Sequence, residues 1–210
     1  MNMIEFAQQN YILLFRALGE HLRMVLIAIV LSVFLAGILT VIGMFFRRTG
    51  NFLTHLFSIV YSIPSIALFA LMIPVMGLGQ STAITVLVFY NQFILLRNFI
   101  TGLNQVPEEV VEAATGMGMT RMQVIFQVQV PLAKKAIFVG VRLALVSTIA
   151  IAIIAAFIGA GGIGLLITIG LETGNYNRVL WGVLLSGGLT VIANGLLVFI
   201  EKRSNLDKRT

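Results

Sequence analysis

The chain has 210 residues, 59% of them hydrophobic and only 10% charged, against about 45–50% apolar and about 25% charged in soluble domains. Its 14 basic and 8 acidic side chains cannot cover so much apolar surface, which excludes a soluble enzyme, a disordered protein and a nucleic-acid binder. The net charge of +6 then reflects cytoplasmic loops, and the lack of cysteine excludes a disulfide scaffold, a thiolate metal site and a cysteine nucleophile.

In chain order, residues before Glu20 mix polar and apolar types and are read as a short amphipathic segment. No cleavable signal peptide is expected, because the first apolar run is too long for a signal core. Five apolar runs follow: Met24–Phe46, Leu53–Met76, Ser81–Leu103, Ala136–Ile158 and Leu180–Ile200. Each approaches the roughly 20 residues that a membrane-spanning helix needs. Leu165–Ile169 is too short to span and reads as a re-entrant or surface piece. The expected fold is an all-α membrane bundle of five spans, with residues 1–210 forming a single permease-sized domain. Placing the N-terminus outside puts Arg47, Arg48, Arg97, Arg121, Lys134, Lys135, Lys202, Arg203, Lys208 and Arg209 inside. Only Arg16, Arg23 and Arg178 are then outside, with Arg142 inside the fourth span. Basic residues accumulate in cytoplasmic loops, so the orientation expected is N-out, C-in.

Within the spans, Pro64 and Pro74 each free a backbone carbonyl and can kink the second helix. Tyr61, Ser62, Ser65, Asn91 and Gln92 face either the bundle interior or a pathway. Tyr61, Ser62, Pro64 and Asn91 are therefore the pathway candidates. Arg97 and Arg142 are expected to snorkel to the inner surface. His21 and His55 carry no expected metal or catalytic role. The short turn Gly77–Leu78–Gly79–Gln80 makes an external hairpin of the second and third spans. Gly159–Gly164 fits G-x-G-x-x-G by letter, but no strand precedes it and no acidic residue lies about 20 positions on. It reads as non-helical backbone at the outer side, with Gly161 and Gly162 as gate candidates. No phosphate-binding P-loop, catalytic triad or His-rich cluster occurs.

The inner connection, residues 105–135, holds the densest signal. Pro107 suits a first helical position. Glu108 and Glu109 favour the positive end of a helix, and Gly116 and Gly118 break the helix that follows. Thr120 to Gln123 has capping-box spacing and starts a second helix. On it Met122, Ile125 and Phe126 share a face, and Pro131 is expected to end it. The bland reading is a helical hairpin on the lipid surface; the sharper one is a docking element for a cytoplasmic partner.

Glu112-Ala113-Ala114, then Gly118, then Val128, Val130 and Pro131 match in register the cytoplasmic "EAA" motif of permease subunits of bacterial binding-protein-dependent (type I ABC) importers. Val replaces Ile and Leu at the two aliphatic positions. The chain resembles that family along almost its whole length. The resemblance implies that the second short helix is a coupling helix seated in an ATP-binding cassette ATPase dimer. ATP and Mg would be bound by that partner, and no cofactor by this chain. Glu112, Ala113, Ala114, Gly118, Met122, Ile125, Phe126 and Pro131 would form the coupling site, with Glu112 in reach of Arg121 or of the partner. The resemblance also implies a second permease subunit, identical or not, an extracytoplasmic substrate-binding protein, and a multi-pass location in a bacterial or archaeal cytoplasmic membrane. Ala156–Gly164 together with Gly170–Asn175 looks like the osmoprotectant branch, which imports glycine betaine, carnitine or choline. A methionine or other amino-acid importer is the alternative; a stand-alone channel or carrier would leave the inner-loop motif unexplained.

Overall fold

The computed structural model describes residues 2–206, and all regular structure among them is helical. Helix α1 runs from Met3 to Phe45 and is opened by a reciprocal cap between Asn2 and Glu5. At about 1.5 Å per residue its 43 residues reach roughly 65 Å, twice the ~30 Å hydrocarbon core. The short amphipathic segment read before Glu20 is thus continuous with this helix, across a kink at Asn10. Tertiary packing is the reason: Phe6, Leu14 and Ala17 bury against Leu166, Trp181 and Leu185, and the Trp181 indole donates to the Met3 carbonyl at 2.9 Å. Backbone angles leave the helical range only at Asn10.

The second expected span is two helices, α2 (Arg47–Ser62) and α3 (Ser65–Met76), bent by 99°. Pro64 causes the break. The residue before a proline is pushed into extended backbone, and Ile63 sits at φ −70°, ψ 131°. Pro74 lies inside α3 without interrupting it, so only one of the two expected kinks forms a break. The hairpin leads into α4 (Gln80–Asn104), the central helix, which packs against α1, α2 and α7. Close approach there depends on small residues. A Cβ on Gly102 would lie 2.5 Å from the Ala136 methyl, and one on Gly140 would lie 2.7 Å from Asn98.

After α5 (Glu108–Gly116), the one-turn α6 (Arg121–Gln123) runs through a π-turn, Val124–Gln129, into α7 (Val130–Ile154). Pro131 therefore ends nothing. In the π-turn the Val130 N–H reaches back five residues to Ile125, so the ladder is already offset where the proline lacks a donor. A 3₁₀ turn (Ala155–Ile158) closes α7; α8 (Ile163–Glu172) and α9 (Tyr176–Leu206) follow. As expected for a piece too short to span, α8 packs across α9 and α1. Among the described residues, four helical runs are long and apolar enough to cross a membrane, five if the bent α2–α3 pair counts as one span. Large apolar side chains such as Phe34, Val75, Val191 and Phe199 stay exposed on the outside of the bundle. Lys208 and Arg209 lie outside the described residues.

Candidate coupling loop and gate

In the connection between α4 and α7, Pro107 stands at the N-cap position of α5 and Glu108 and Glu109 occupy its first turn. Glu112 and Ala113 are exposed, while Ala114 is buried. The helix ends in a Schellman turn. The Met119 N–H donates to the Ala114 carbonyl at 3.2 Å and the Gly118 N–H to the Thr115 carbonyl at 2.9 Å. Gly118 sits at φ +87°, where a side chain is strained. Thr120 then caps α6 in the expected reciprocal box: the Thr120 N–H donates to Gln123 Oε1 at 2.8 Å, and the Gln123 N–H to Thr120 Oγ1 at 3.4 Å.

The face predicted for the second helix splits. Met122 is 46% exposed and Phe126 52%, but Ile125 is only 2% exposed. Met122 and Phe126 stand four apart on one side, whereas Ile125 turns with Val124 into the body of the protein. Exposed Met117 adds a third apolar group to the outer surface. The expected Glu112–Arg121 pair does not form. Arg121 instead donates to the Met44 carbonyl at 2.5 Å, and its guanidinium lies 5.0 Å from the centre of the Phe45 ring. The candidate coupling loop is thereby fastened to the C-terminal end of α1, a contact across 77 residues that no sequence pattern announces. Gln129, also unmarked in the sequence, turns inward and donates to the Leu103 carbonyl at 3.4 Å.

At the opposite end of α7, Gly159–Gly162 links it through the 3₁₀ turn to α8. Gly162 has φ +77°, and a Cβ there would meet His21 at 3.1–3.3 Å. One Glu20 carboxylate oxygen accepts the Gly162 N–H at 3.1 Å, and the other pairs with Arg16 Nε at 2.9 Å. A Cβ on Gly161 would lie 2.7 Å from that first oxygen. Arg16, Glu20, Gly161 and Gly162 line a cavity of about 400 Å³ with Gln80 and Leu13. The Gly79 N–H donates to the Ile158 carbonyl at 2.8 Å, so the external hairpin is tied to the same element.

Of the intramembrane candidates, Tyr61, Ser62 and Pro64 are exposed together at the α2–α3 break. The Tyr61 ring packs on Phe93 at 5.0 Å and edge-on to Tyr90 at 5.6 Å. The Tyr90 hydroxyl donates to the Ile63 carbonyl, which the break leaves without a helical partner. Asn91 does not join them. It is 1% exposed, and its amide nitrogen donates to Ser32 Oγ at 3.0 Å and Thr148 Oγ1 at 2.8 Å. It binds α1, α4 and α7 together, whereas Gln92, which donates to the Ser32 carbonyl at 3.3 Å, joins α4 to α1 alone. Arg142 lies 3.8 Å from Glu201 on α9, and Arg97 lies over the Phe93 ring at 5.9 Å.

The model of the family described as binding-protein-dependent transport system inner membrane component matches residues 28–205. Among curated proteins, the chain is 34% identical over 201 residues to the glycine betaine/carnitine/choline transport system permease protein OpuCB of Bacillus subtilis (strain 168), covering 96% of this chain and 93% of that one. It is 31% identical over 202 residues to the choline transport system permease protein OpuBB of the same organism, with the same two coverages. Among solved structures, an inward-facing conformation of the MetNI methionine ABC transporter superposes with a TM-score of 0.74 at 23% identity, over 93% of this chain and 95% of that one. At that identity the likeness is one of fold.

Proposed function

Because the chain belongs to the binding-protein-dependent transport system inner membrane component family, we propose that it is the permease subunit of an ATP-driven importer of compatible solutes: glycine betaine, carnitine, choline or similar quaternary ammonium compounds. The observation that carries the reading is the geometry of the inner loop. Glu112, Ala113 and Gly118 stand exposed in the register of the motif, and Met122 and Phe126 are exposed on the short helix that follows. Exposed apolar side chains four apart on a short helix, preceded by the exposed carboxylates of Glu108, Glu109 and Glu112, suit a groove on a soluble partner. That partner is an ATPase dimer, which binds ATP and Mg and supplies the hydrolysis.

The fold gives the loop leverage. Arg121–Ile158 is a 38-residue helical run, roughly 57 Å long at about 1.5 Å per residue. A push on the loop is therefore delivered through the π-turn to the outer end of α7. There the Gly79–Ile158 bond and the Gly162–Glu20 bond connect it to the hairpin and to α1. Two ATPases closing beneath two permease subunits would rock these rods between inward- and outward-open states, which couples two sites through a bistable body. The spans carry no carboxylate between Glu20 and Glu108 or between Glu112 and Glu172. Family membership implies an extracytoplasmic substrate-binding protein, which delivers and selects the solute. The location is a bacterial or archaeal cytoplasmic membrane, N-out and C-in.

Vesicles holding the permease with its ATPase, its second permease subunit and its binding protein should accumulate labelled betaine, carnitine or choline only with ATP inside the compartment facing the ATPase. Accumulation of methionine alone would put the amino-acid reading first. Uptake without the ATPase would make the chain a channel or carrier.

A further inference from the structure

A cavity of about 600 Å³ opens between the inner ends of α4 and α7, lined in part by Gln105, Val106 and Pro107 of the connection after α4, and includes neither Met122 and Phe126 nor the outer glycines. Two cations stand on its rim, Arg97 and Lys135, both exposed, and no carboxylate lines it. Between them Asn98, Thr101 and Gln105 offer neutral hydrogen-bonding groups, while Leu132 and Val139 supply an apolar wall. The floor is rigid. Gly102 packs against Ala133 and Ala136, and Gly140 against Asn98, closely enough that a single Cβ would collide. Arg97 is held across the face of Phe93.

Depth identifies the level at which the cavity sits. Arg97 is seventeen residues along α4 from Gln80, roughly 26 Å at about 1.5 Å per residue. Lys135 is twenty-three residues from Ile158, beside which the hairpin is anchored, or roughly 35 Å by the same rise. With a hydrocarbon core of about 30 Å, both cations fall at its boundary with the headgroups. A basic, preformed hollow between helices at this level, apolar on one wall, has the chemistry of a phosphate-bearing headgroup with acyl chains beside it.

We propose that the Arg97–Lys135 hollow binds an anionic phospholipid, its phosphate between the two cations and its chains along Leu132 and Val139. The inference goes beyond the transport reading and rests on it only for which leaflet supplies the lipid. The test is native mass spectrometry of the purified full-length permease titrated with phosphatidylglycerol or phosphatidylcholine. The wild type should retain phosphatidylglycerol with a preference of about tenfold, as two interfacial cations allow. Arg97→Gln with Lys135→Gln should abolish that preference, and Arg97→Lys with Lys135→Arg should keep it. Lys135→Gln alone, at an exposed position that the fold tolerates, should reduce it. Equal retention of the two lipids, or a preference unchanged in the double Gln variant, would overturn the proposal. So would displacement of phosphatidylglycerol by inorganic phosphate, which would make the hollow a soluble-anion site. Loss of ATPase co-purification in the double Gln variant with lipid preference intact would also overturn it, assigning the two cations to that subunit. None of these readouts depends on which solute is carried.

Discussion

Gly116 and Gly118 stand two residues apart on the same exposed turn, and a methyl added to either meets open space. They differ only in backbone: Gly118 has φ +87° and Gly116 has no positive φ. Gly118→Ala should therefore strain the Schellman turn by about 1 kcal/mol or more, whereas Gly116→Ala should be neutral or slightly stabilising. Amide exchange at Met119, whose N–H closes the turn on Ala114, should accelerate in the first variant only. ATPase co-purification should weaken with it. Equal exchange in both would remove the conformational reason for glycine at 118. Gly164 is a steric case: a Cβ there would collide with the Ile153 carbonyl at the end of α7. Gly164→Ala should lower stability by about 1–3 kcal/mol, the usual cost of overpacking, read as a fall in the thermal midpoint of the detergent-solubilised chain.

Among the elements, the broken second span depends most visibly on a distant side chain. Pro64 dictates an interruption, but the Tyr90 hydroxyl on α4 satisfies the exposed Ile63 carbonyl. In lipid an unsatisfied carbonyl is costly. Tyr90→Phe should lower the thermal midpoint by an amount corresponding to about 1–3 kcal/mol and change ATP-coupled uptake, while leaving insertion intact. Uptake and midpoint both at wild-type values would show that the break holds without its latch. The inner element works in the reverse sense. Its capping box, glycine turn and acidic first turn are local and form where the residues ask for them. The placing of Ile125 inward and of Arg121 on α1 depends on the π-turn, which no local pattern marks.

For the molecule as a whole, the unequal distribution of Arg and Lys is the basis of the orientation proposed. The chain lacks cysteine, so single cysteines report topology cleanly. A membrane-impermeant thiol reagent added to intact cells should label cysteine at Gln80 or Thr173 and spare cysteine at Gln123. The opposite pattern would invert the molecule and move the coupling loop to the wrong side of the membrane. Much of α9 and the outer face of α1 stays uncovered in the single chain, which leaves surface for lipid and for a second permease subunit.

The membrane class, the approximate spans, the breaking proline, the capping box and the glycine turn are all legible from the sequence. Each rests on composition or on residues within a few positions of one another, where hydrophobicity and backbone preference act alone. The joining of residues 3–20 to α1 was not legible, because it follows from Phe6 and Leu14 packing on α8 and α9 far along the chain. Nor was the fate of the polar residues. Asn91 and Tyr61 look alike as polar groups in apolar runs, yet one is sealed in a three-helix hydrogen-bond network and the other lies exposed at the break. Periodicity tells that a polar group needs a partner; only the packing of α1, α4 and α7 decides whether that partner is another helix or whatever passes outside.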